Sequence, residues 1–431
     1  MEEAATDISV SRDADDPFQD VSDLPLDRFV QEVLARNQSL ASAEAAWGSA
    51  SQRYPQAIAL EDPLFQSMYA PQSFSSSSNV QSSYYLGVAQ KIPWAGKRGL
   101  RGQRALWEAN AALYDVDATR LGLAEAARVA YVDFYLNQQL LDLNTSNTEA
   151  TEQFREIARA KFEANQVSQQ DVLQADVELK QLEQRRIELL QERQVALARI
   201  NTLLHRRPDH PLPPPPTRLS VVSELPDPAI LREMAVSQRP ELQALAARVQ
   251  AERAAVQLAC KEFYPDFELM GRYDRFWTDT EQRPQVALNV NIPLNQSRRR
   301  AAVEEALFRV QKMQADYQLT IDTIQNDVQA AYARVQGGLK TVELYETQIL
   351  PLSTDNLAAA RAGYTAGTLD FLRLIEAQRQ LIELKEKHQG AIAELHRRRA
   401  ELDRAVGDVE LDSIDSLIPL DVPPVEREST P

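Results

Sequence analysis

The chain has 431 residues, a net charge of −16 and a pI near 4.9, a balance that excludes nucleic-acid phosphate as the main partner. Its 13 Gly, 12 Phe and 13 Tyr are few for a compact enzyme. The Ala, Leu, Gln, Glu and Arg that dominate are instead the composition of long helices. Cys260 is the single cysteine, which excludes an intrachain disulfide or a cysteine metal cluster. Its place at the end of an apolar helix stripe points to packing.

Residues 1–24 read as a disordered acidic leader, and Met1 to Asp23 lack the basic region and apolar run of an export signal. A helix is expected over Leu26–Tyr54, with Leu26, Phe29, Val33 and Leu40 on one face and Pro55 at its end. Beyond Asp62-Pro63 come the apolar Leu64–Tyr69 and a Ser-rich loop, Ala70–Gln81. From Ser82 to Lys91 the pattern turns two-periodic: Tyr84, Leu86 and Val88 face one way, Tyr85, Gly87 and Ala89 the other. Ile92-Pro93-Trp94-Ala95-Gly96-Lys97-Arg98 breaks that strand and opens a helix to Glu163, about 100 Å long. A return helix over Val167–Leu204 carries Val172, Ala175, Leu179, Leu182, Leu189, Ala196, Ile200 and Leu203, a heptad stripe that asks for a neighbouring helix. Five prolines after His210 make an extended linker.

The second half restates this plan. A helix is expected over Asp227–Phe263. Two strands follow, Asp266–Phe276 with Phe267, Leu269 and Tyr273 on one face, and Gln285–Ile292 with Val286, Leu288 and Val290 opposite Asn289 and Asn291. A long helix over Arg298–Ala366 is expected to bend at Pro351. The final helix, Leu369–Val406, repeats the heptad phase. Asn37-Gln38-Ser39-Leu40 lines up with Arg239-Pro240-Glu241-Leu242, Ile92-Pro93 with Ile292-Pro293, Ala130-Tyr131 with Ala331-Tyr332, and the segment from Lys161 with that from Gly363. The expected division is therefore a first repeat (25–207), a Pro-rich linker (208–225), a second repeat (226–407) and a disordered acidic tail (408–431). The fold class is mostly α with a small β part: two halves of long heptad-patterned helices plus two β-hairpins.

Two short hairpins with one apolar and one polar face cannot satisfy their own edges. Closure by several copies would, and outward apolar alternating with inward polar residues is the porin-type pattern. The lipid-facing set is then Tyr84, Leu86, Val88, Phe267, Leu269, Val286, Leu288 and Val290. A soluble coiled-coil scaffold is the alternative.

The junction Gln90-Lys91-Ile92-Pro93-Trp94-Ala95-Gly96-Lys97 and the segments Ser168-Gln169-Gln170-Asp171-Val172-Leu173-Gln174-Ala175 and Gly363-Tyr364-Thr365-Ala366-Gly367-Thr368-Leu369-Asp370 resemble TolC-type outer-membrane efflux proteins over residues 24 to 407. The resemblance implies a homotrimer whose twelve-stranded barrel sits in outer-membrane lipid and whose helical barrel crosses the periplasm. It also implies docking on a periplasmic adaptor (a membrane fusion protein) and an inner-membrane pump, as the exit duct of a tripartite efflux or type I secretion system.

The two helical turns have their own logic. Gly367 supplies a left-handed residue without a Cβ penalty, and Asn165 is the next most tolerant choice in the first half. Ser168 and Asp370 sit where a side-chain oxygen can cap the next helix. The resemblance implies that these tips (Phe162, Asn165, Val167, Ser168, Asp171, Val172, Leu173, Tyr364, Gly367, Thr368, Leu369 and Asp370) touch the adaptor. It also makes Asp370, Arg373 and Glu376 gate candidates, although Arg373 stands where the family often carries an acid. Under threefold symmetry, inward carboxylates would attract cations and raise one another's pKa. No enzyme signature is present: His205, His210, His388 and His396 lack metal-ligand spacing, and Gly337-Gly338 lies within a helix. His388 is expected to pack in the heptad core opposite Arg186. No cofactor or metal is implied.

Overall fold

The computed structural model describes residues 17–407 except 19, 71–82, 220–224 and 278. Most of the leader, the Ser-rich loop and the acidic tail lie outside the described residues. The first half contains α1 (Leu26–Arg36), α2 (Gln38–Ser51), α3 (Arg53–Ile58), β1 (Leu64–Ala70), β2 (Ser83–Ile92), α4 (Lys97–Glu163) and α5 (Gln169–Leu203). The second contains α6 (Pro228–Gln238), α7 (Pro240–Lys261), β3 (Phe267–Asp274), β4 (Pro284–Val290), α8 (Gln296–Leu344), α9 (Leu350–Ala366) and α10 (Phe371–Val406).

The helix expected over 26–54 is broken at Asn37 and again at Gln52, and Pro55 does not end it because α3 runs through to Ile58. The helix expected over 227–263 is broken once, at Arg239. Asn37 is extended, with φ −73° and ψ 128°. Its side chain accepts from the Ser39 amide at 2.9 Å and donates to the Leu203 carbonyl at 2.9 Å. In the other half Pro240 excludes the α region for the residue before it, and Arg239 sits at φ −60° and ψ 118°. Its guanidinium pairs with Glu241 at 2.9 Å and reaches the Ala405 carbonyl at 3.2 Å. The breaks at Asn37 and Arg239 thus each pin their helix to the end of the return helix in the same half.

Each half packs its own core. In the first, Phe29, Val33, Tyr131, Phe134, Ile200 and Leu204 are buried together. Two segments expected to be loose contribute to it. Phe18 and Leu24 are buried there, the Leu24 amide donates to Pro214 at 2.9 Å, and the Tyr131 hydroxyl donates to Leu24 at 2.7 Å. From the linker, Leu212 and Leu219 pack on the same core. In the second half Leu242, Ile324, Val328, Val335, Leu395 and Leu402 form the counterpart. Cys260, expected to be packed, is exposed.

The expected bend near Pro351 takes the form of a π-turn, Tyr345–Ile349, between α8 and α9. Pro351 has no amide proton to give the carbonyl four residues back, and a wider turn accommodates that loss. His388 is half-buried. Its ring stands 6.0 Å from Tyr345, with Nε2 3.4 Å from Glu346.

The two expected hairpins are one antiparallel sheet of order β1-β2-β3-β4. The β2–β3 pairing, from Leu86 opposite Tyr273 to Ile92 opposite Phe267, joins the halves. Below this seam Lys97 is 1% exposed. Its ammonium donates to Asp266 at 2.9 and 3.1 Å, to Glu262 at 3.3 Å and to the Tyr264 carbonyl at 3.4 Å. The Trp94 amide also donates to Asp266, at 2.9 Å. Partial burial acts to raise the Asp266 pKa, but the Trp94 amide and the Lys97 ammonium outweigh it and hold the carboxyl below its ordinary value.

Removing either partner of this pair should have unequal costs. Asp266→Asn leaves a buried ammonium short of charge and should destabilise by about 3 kcal/mol. Lys97→Met leaves an aspartate whose side chain is 37% exposed and can be hydrated, so it should cost clearly less. Urea denaturation of both variants measures the difference, and equal costs would remove the charge explanation.

Candidate functional site

Two regions carry the candidate residues: the face of the sheet and the helical tips. The strand register places Tyr84, Leu86 and Val88 of β2, Phe267 and Leu269 of β3, and Val286, Leu288 and Val290 of β4 on a single face. The pairs Phe267–Val290, Leu269–Leu288 and Ile92–Phe267 make it continuous. Phe65 and Tyr69 extend it onto β1 opposite Val88 and Tyr84. This face is open: Val286 is 81% exposed and Leu288 61%. The other face carries Gln66, Glu268, Arg272, Gln285 and Asn289, where the Asn289 amide donates to Glu268 at 3.0 Å and Arg272 donates to Gln285 at 2.7 Å.

At the tips the two halves repeat one backbone solution. Asn165 has φ 55° and Gly367 φ 76°. The Gln166 amide donates to Lys161 and the Thr368 amide to Gly363, both at 2.9 Å, which is the Schellman closure of a helix end. Ser168 caps α5 by accepting from the Gln170 amide at 3.1 Å. Asp370 does not repeat this. It has extended dihedrals at the start of α10, but its side chain makes no cap hydrogen bond. The Thr368 hydroxyl instead donates to Gly363 at 3.1 Å and helps close that turn.

The hairpins are tied to each other by residues that strand and helix periodicity did not single out. Lys161 donates to the carbonyls of Tyr364 and Thr365, the latter at 3.1 Å, and lies 4.5 Å over the Tyr364 ring. The Tyr364 hydroxyl donates to Asp171 at 3.3 Å, and its ring stands 5.2 Å from Phe371. Beneath them Phe154, Ala158, Ala175, Leu374 and Ile375 are buried, with Val167, Val172 and Leu369 half-buried at the rim. One turn farther up, Arg379 pairs with the buried Glu178. Phe162 and Leu173 stay exposed. Of the gate candidates, Arg373 and Glu376 pair with each other at 3.1 Å on an exposed face, while Asp370 meets Arg373 through its backbone carbonyl, which accepts from the Arg373 amide at 3.1 Å. Burial raises the Asp171 pKa, with Asp370 adding to the rise and the Tyr364 hydroxyl and Lys161 opposing it. Burial likewise raises the Tyr364 hydroxyl pKa, and the Asp171 charge reinforces it.

A sheet with one exposed apolar face, carried on two paired helical hairpins, is the class of fold found in outer-membrane channels. The chain matches the outer membrane efflux protein family over residues 29–205 and 231–408, and it belongs to that family. Its fold is similar to that of the outer-membrane channel OprN, with a TM-score of 0.76, 20% identity and coverage of 92% of this chain and 95% of that one. It is also similar to the outer membrane protein VceC of Vibrio cholerae, with a TM-score of 0.74, 18% identity and coverage of 89% and 96%. A curated relative, the fusaric acid resistance protein FusA of Burkholderia cepacia, is 26% identical over 209 residues, which is 48% of this chain and 39% of that protein. The match therefore reaches about two fifths of that relative's length.

Two outcomes are expected at the tips. A Cβ on Gly367 would meet no atom within 4 Å, so Gly367→Val should cost only its backbone strain, about 1–2 kcal/mol. It should speed hydrogen exchange at Thr368 and Leu369 and leave the sheet intact, while Asn165→Gly should be neutral or slightly stabilising. The second concerns pH. A carboxyl whose folded pKa is raised gives most stability below its unfolded value and loses it as pH rises through the folded value. Asp171→Asn keeps an acceptor for Tyr364, so its stability relative to the parent chain should increase between about pH 4 and pH 7 in thermal melts. A flat difference would contradict the burial of this group.

Proposed function

We propose that the protein is the outer-membrane exit duct of a tripartite efflux or type I secretion system. Three copies close their four-stranded sheets edge to edge into a twelve-stranded barrel in outer-membrane lipid, and the paired hairpins extend as a helical tunnel into the periplasm. The observation that carries this is the continuous exposed apolar face on a sheet whose outer strands, β1 and β4, have no further partner among the described residues. A soluble scaffold would leave that surface wet. No described helix is long and apolar enough to cross a membrane, so in this reading the strands alone do so.

The duct is passive and takes its energy from an inner-membrane pump through a periplasmic adaptor that contacts the tips around Phe162, Leu173 and Gly367. Exposed apolar residues next to a rigid Schellman turn suit a docking surface, because they offer burial at little ordering cost. Arg373 and Glu376, paired on an exposed face near the tip, would sit close to the aperture, with Asp370 at the turn.

Purified in detergent, the protein should scatter light as three copies of the 48.5 kDa chain. Leu288→Arg should impair insertion by about 2–4 kcal/mol if it lies near the midplane. Asn289→Arg, on the opposite face, should insert normally. A stable monomer with full strand content, or equal damage from both substitutions, would sink this function.

A further inference from the structure

Where the apolar face of the sheet meets the helices, the structure builds a cluster that conduction does not require. Phe267, at the foot of that face, stacks on Trp94 at 5.7 Å, and Trp94 stacks on Tyr264 at 5.2 Å. The Lys261 ammonium lies 5.3 Å from the Tyr264 ring. Next to it, Arg299 donates to the Glu262 carbonyl at 2.7 Å and so holds the first turn of α8 against the end of α7. On either side of Arg299, the exposed side chains of Arg298 and Arg300 make no hydrogen bond or ion pair among the described residues. Two acids next to this contact, Glu262 and Asp266, are both engaged by Lys97. An open groove of 550 Å³ runs beside Lys261 along Gly96, Gly99, Leu100 and Val256.

We propose that this junction binds the headgroup phosphate of an anionic phospholipid, with its acyl chains against the apolar face of the sheet. The inference rests on the membrane placement proposed above, in which the helical side of the sheet meets the periplasmic leaflet. Charge complementarity supports it. A chain of net charge −16 repels anionic surfaces as a whole, yet three cations, Lys261, Arg298 and Arg300, are the chain neighbours of the Arg299–Glu262 contact, where Lys97 engages the carboxylates of Glu262 and Asp266. Continuity supports a lipid over a soluble anion. A phosphate ion would use the cations alone, whereas the run Lys261–Tyr264–Trp94–Phe267 leads from charge through amphipathic rings onto bare hydrocarbon, the order found at a membrane interface.

The test uses the full chain reconstituted in nanodiscs of phosphatidylcholine and phosphatidylglycerol in equal amounts and reads co-retained lipid by native mass spectrometry. Phosphatidylglycerol should be retained about tenfold over phosphatidylcholine, since each nearby cation contributes a few-fold. The preference should weaken with salt and disappear in Lys261→Gln/Arg298→Gln/Arg300→Gln, with assembly and insertion unchanged. Equal retention of both lipids by the parent chain, or an undiminished preference in the triple variant, would overturn the site. So would full displacement of the lipid by millimolar inorganic phosphate. Failure of the parent chain to enter bilayers would overturn the membrane placement as well, whereas insertion without lipid preference overturns only the site.

Discussion

Lys97 shares a buried ammonium between Asp266 and Glu262, and through it the start of the first long helix is fixed to the segment that feeds the second hairpin. Asp266 also accepts the Trp94 amide, while its own carbonyl accepts from Asn291 at 3.0 Å. Three chain crossings between strand and helix therefore converge on two residues, Lys97 and Asp266. Charge held this far from water is costly unless each partner is fully engaged, so the geometry is sharply defined. The β2–β3 seam, the level of the apolar face and the descent of both long helices all follow from that anchor.

Below the anchor the two repeats are built on the same plan but stiffened differently. In the first hairpin the buried Asn137 and Asn144 reach across from α4 to the carbonyls of Leu189 and Leu182, at 3.1 and 3.2 Å. Their seven-residue spacing brings both to one seam, and each such bond satisfies a buried amide that would otherwise be a penalty. In the second hairpin the link at this level is the His388–Glu346 contact beside the π-turn. Toward the tips Lys161, Tyr364, Asp171, Glu178 and Arg379 tie the hairpins to each other, in addition to contacts within each hairpin such as Tyr364 on Phe371.

Periodicity made the long elements legible. The heptad stripe from Val172 to Leu203 and the alternation through Val286, Leu288 and Val290 identify a helix and a strand because side-chain direction is fixed by local geometry. Gly367 and Asn165 were legible for the same reason, since only backbone tolerance was at stake. What periodicity could not give was contact between distant segments. Nothing local marks Phe18 and Leu24 as core residues, because their partners Tyr131 and Pro214 lie more than a hundred residues away. The β2–β3 pairing is hidden in the same way, since an unsatisfied hairpin edge does not say which strand will cover it. Lys161 reads as one more charge on a helix until Tyr364 is placed beneath it. The break before Pro240 is local, because proline forbids the α region at Arg239.

The π-turn settles a discrepancy in the spacing of the repeats. Thirty residues separate Tyr131 from Lys161, but thirty-one separate Tyr332 from Gly363, and Tyr345–Ile349 falls inside that longer interval. One extra residue in a regular α-helix would swing everything after it by about 100° and turn a buried stripe toward water. A single wide turn takes up that residue on the spot. Gly367 therefore closes its helix as Asn165 does, and Tyr364, Phe371 and Leu374 still point into the shared core. The second long helix thus bears the mark of a one-residue insertion that was absorbed locally, leaving the two tips in phase.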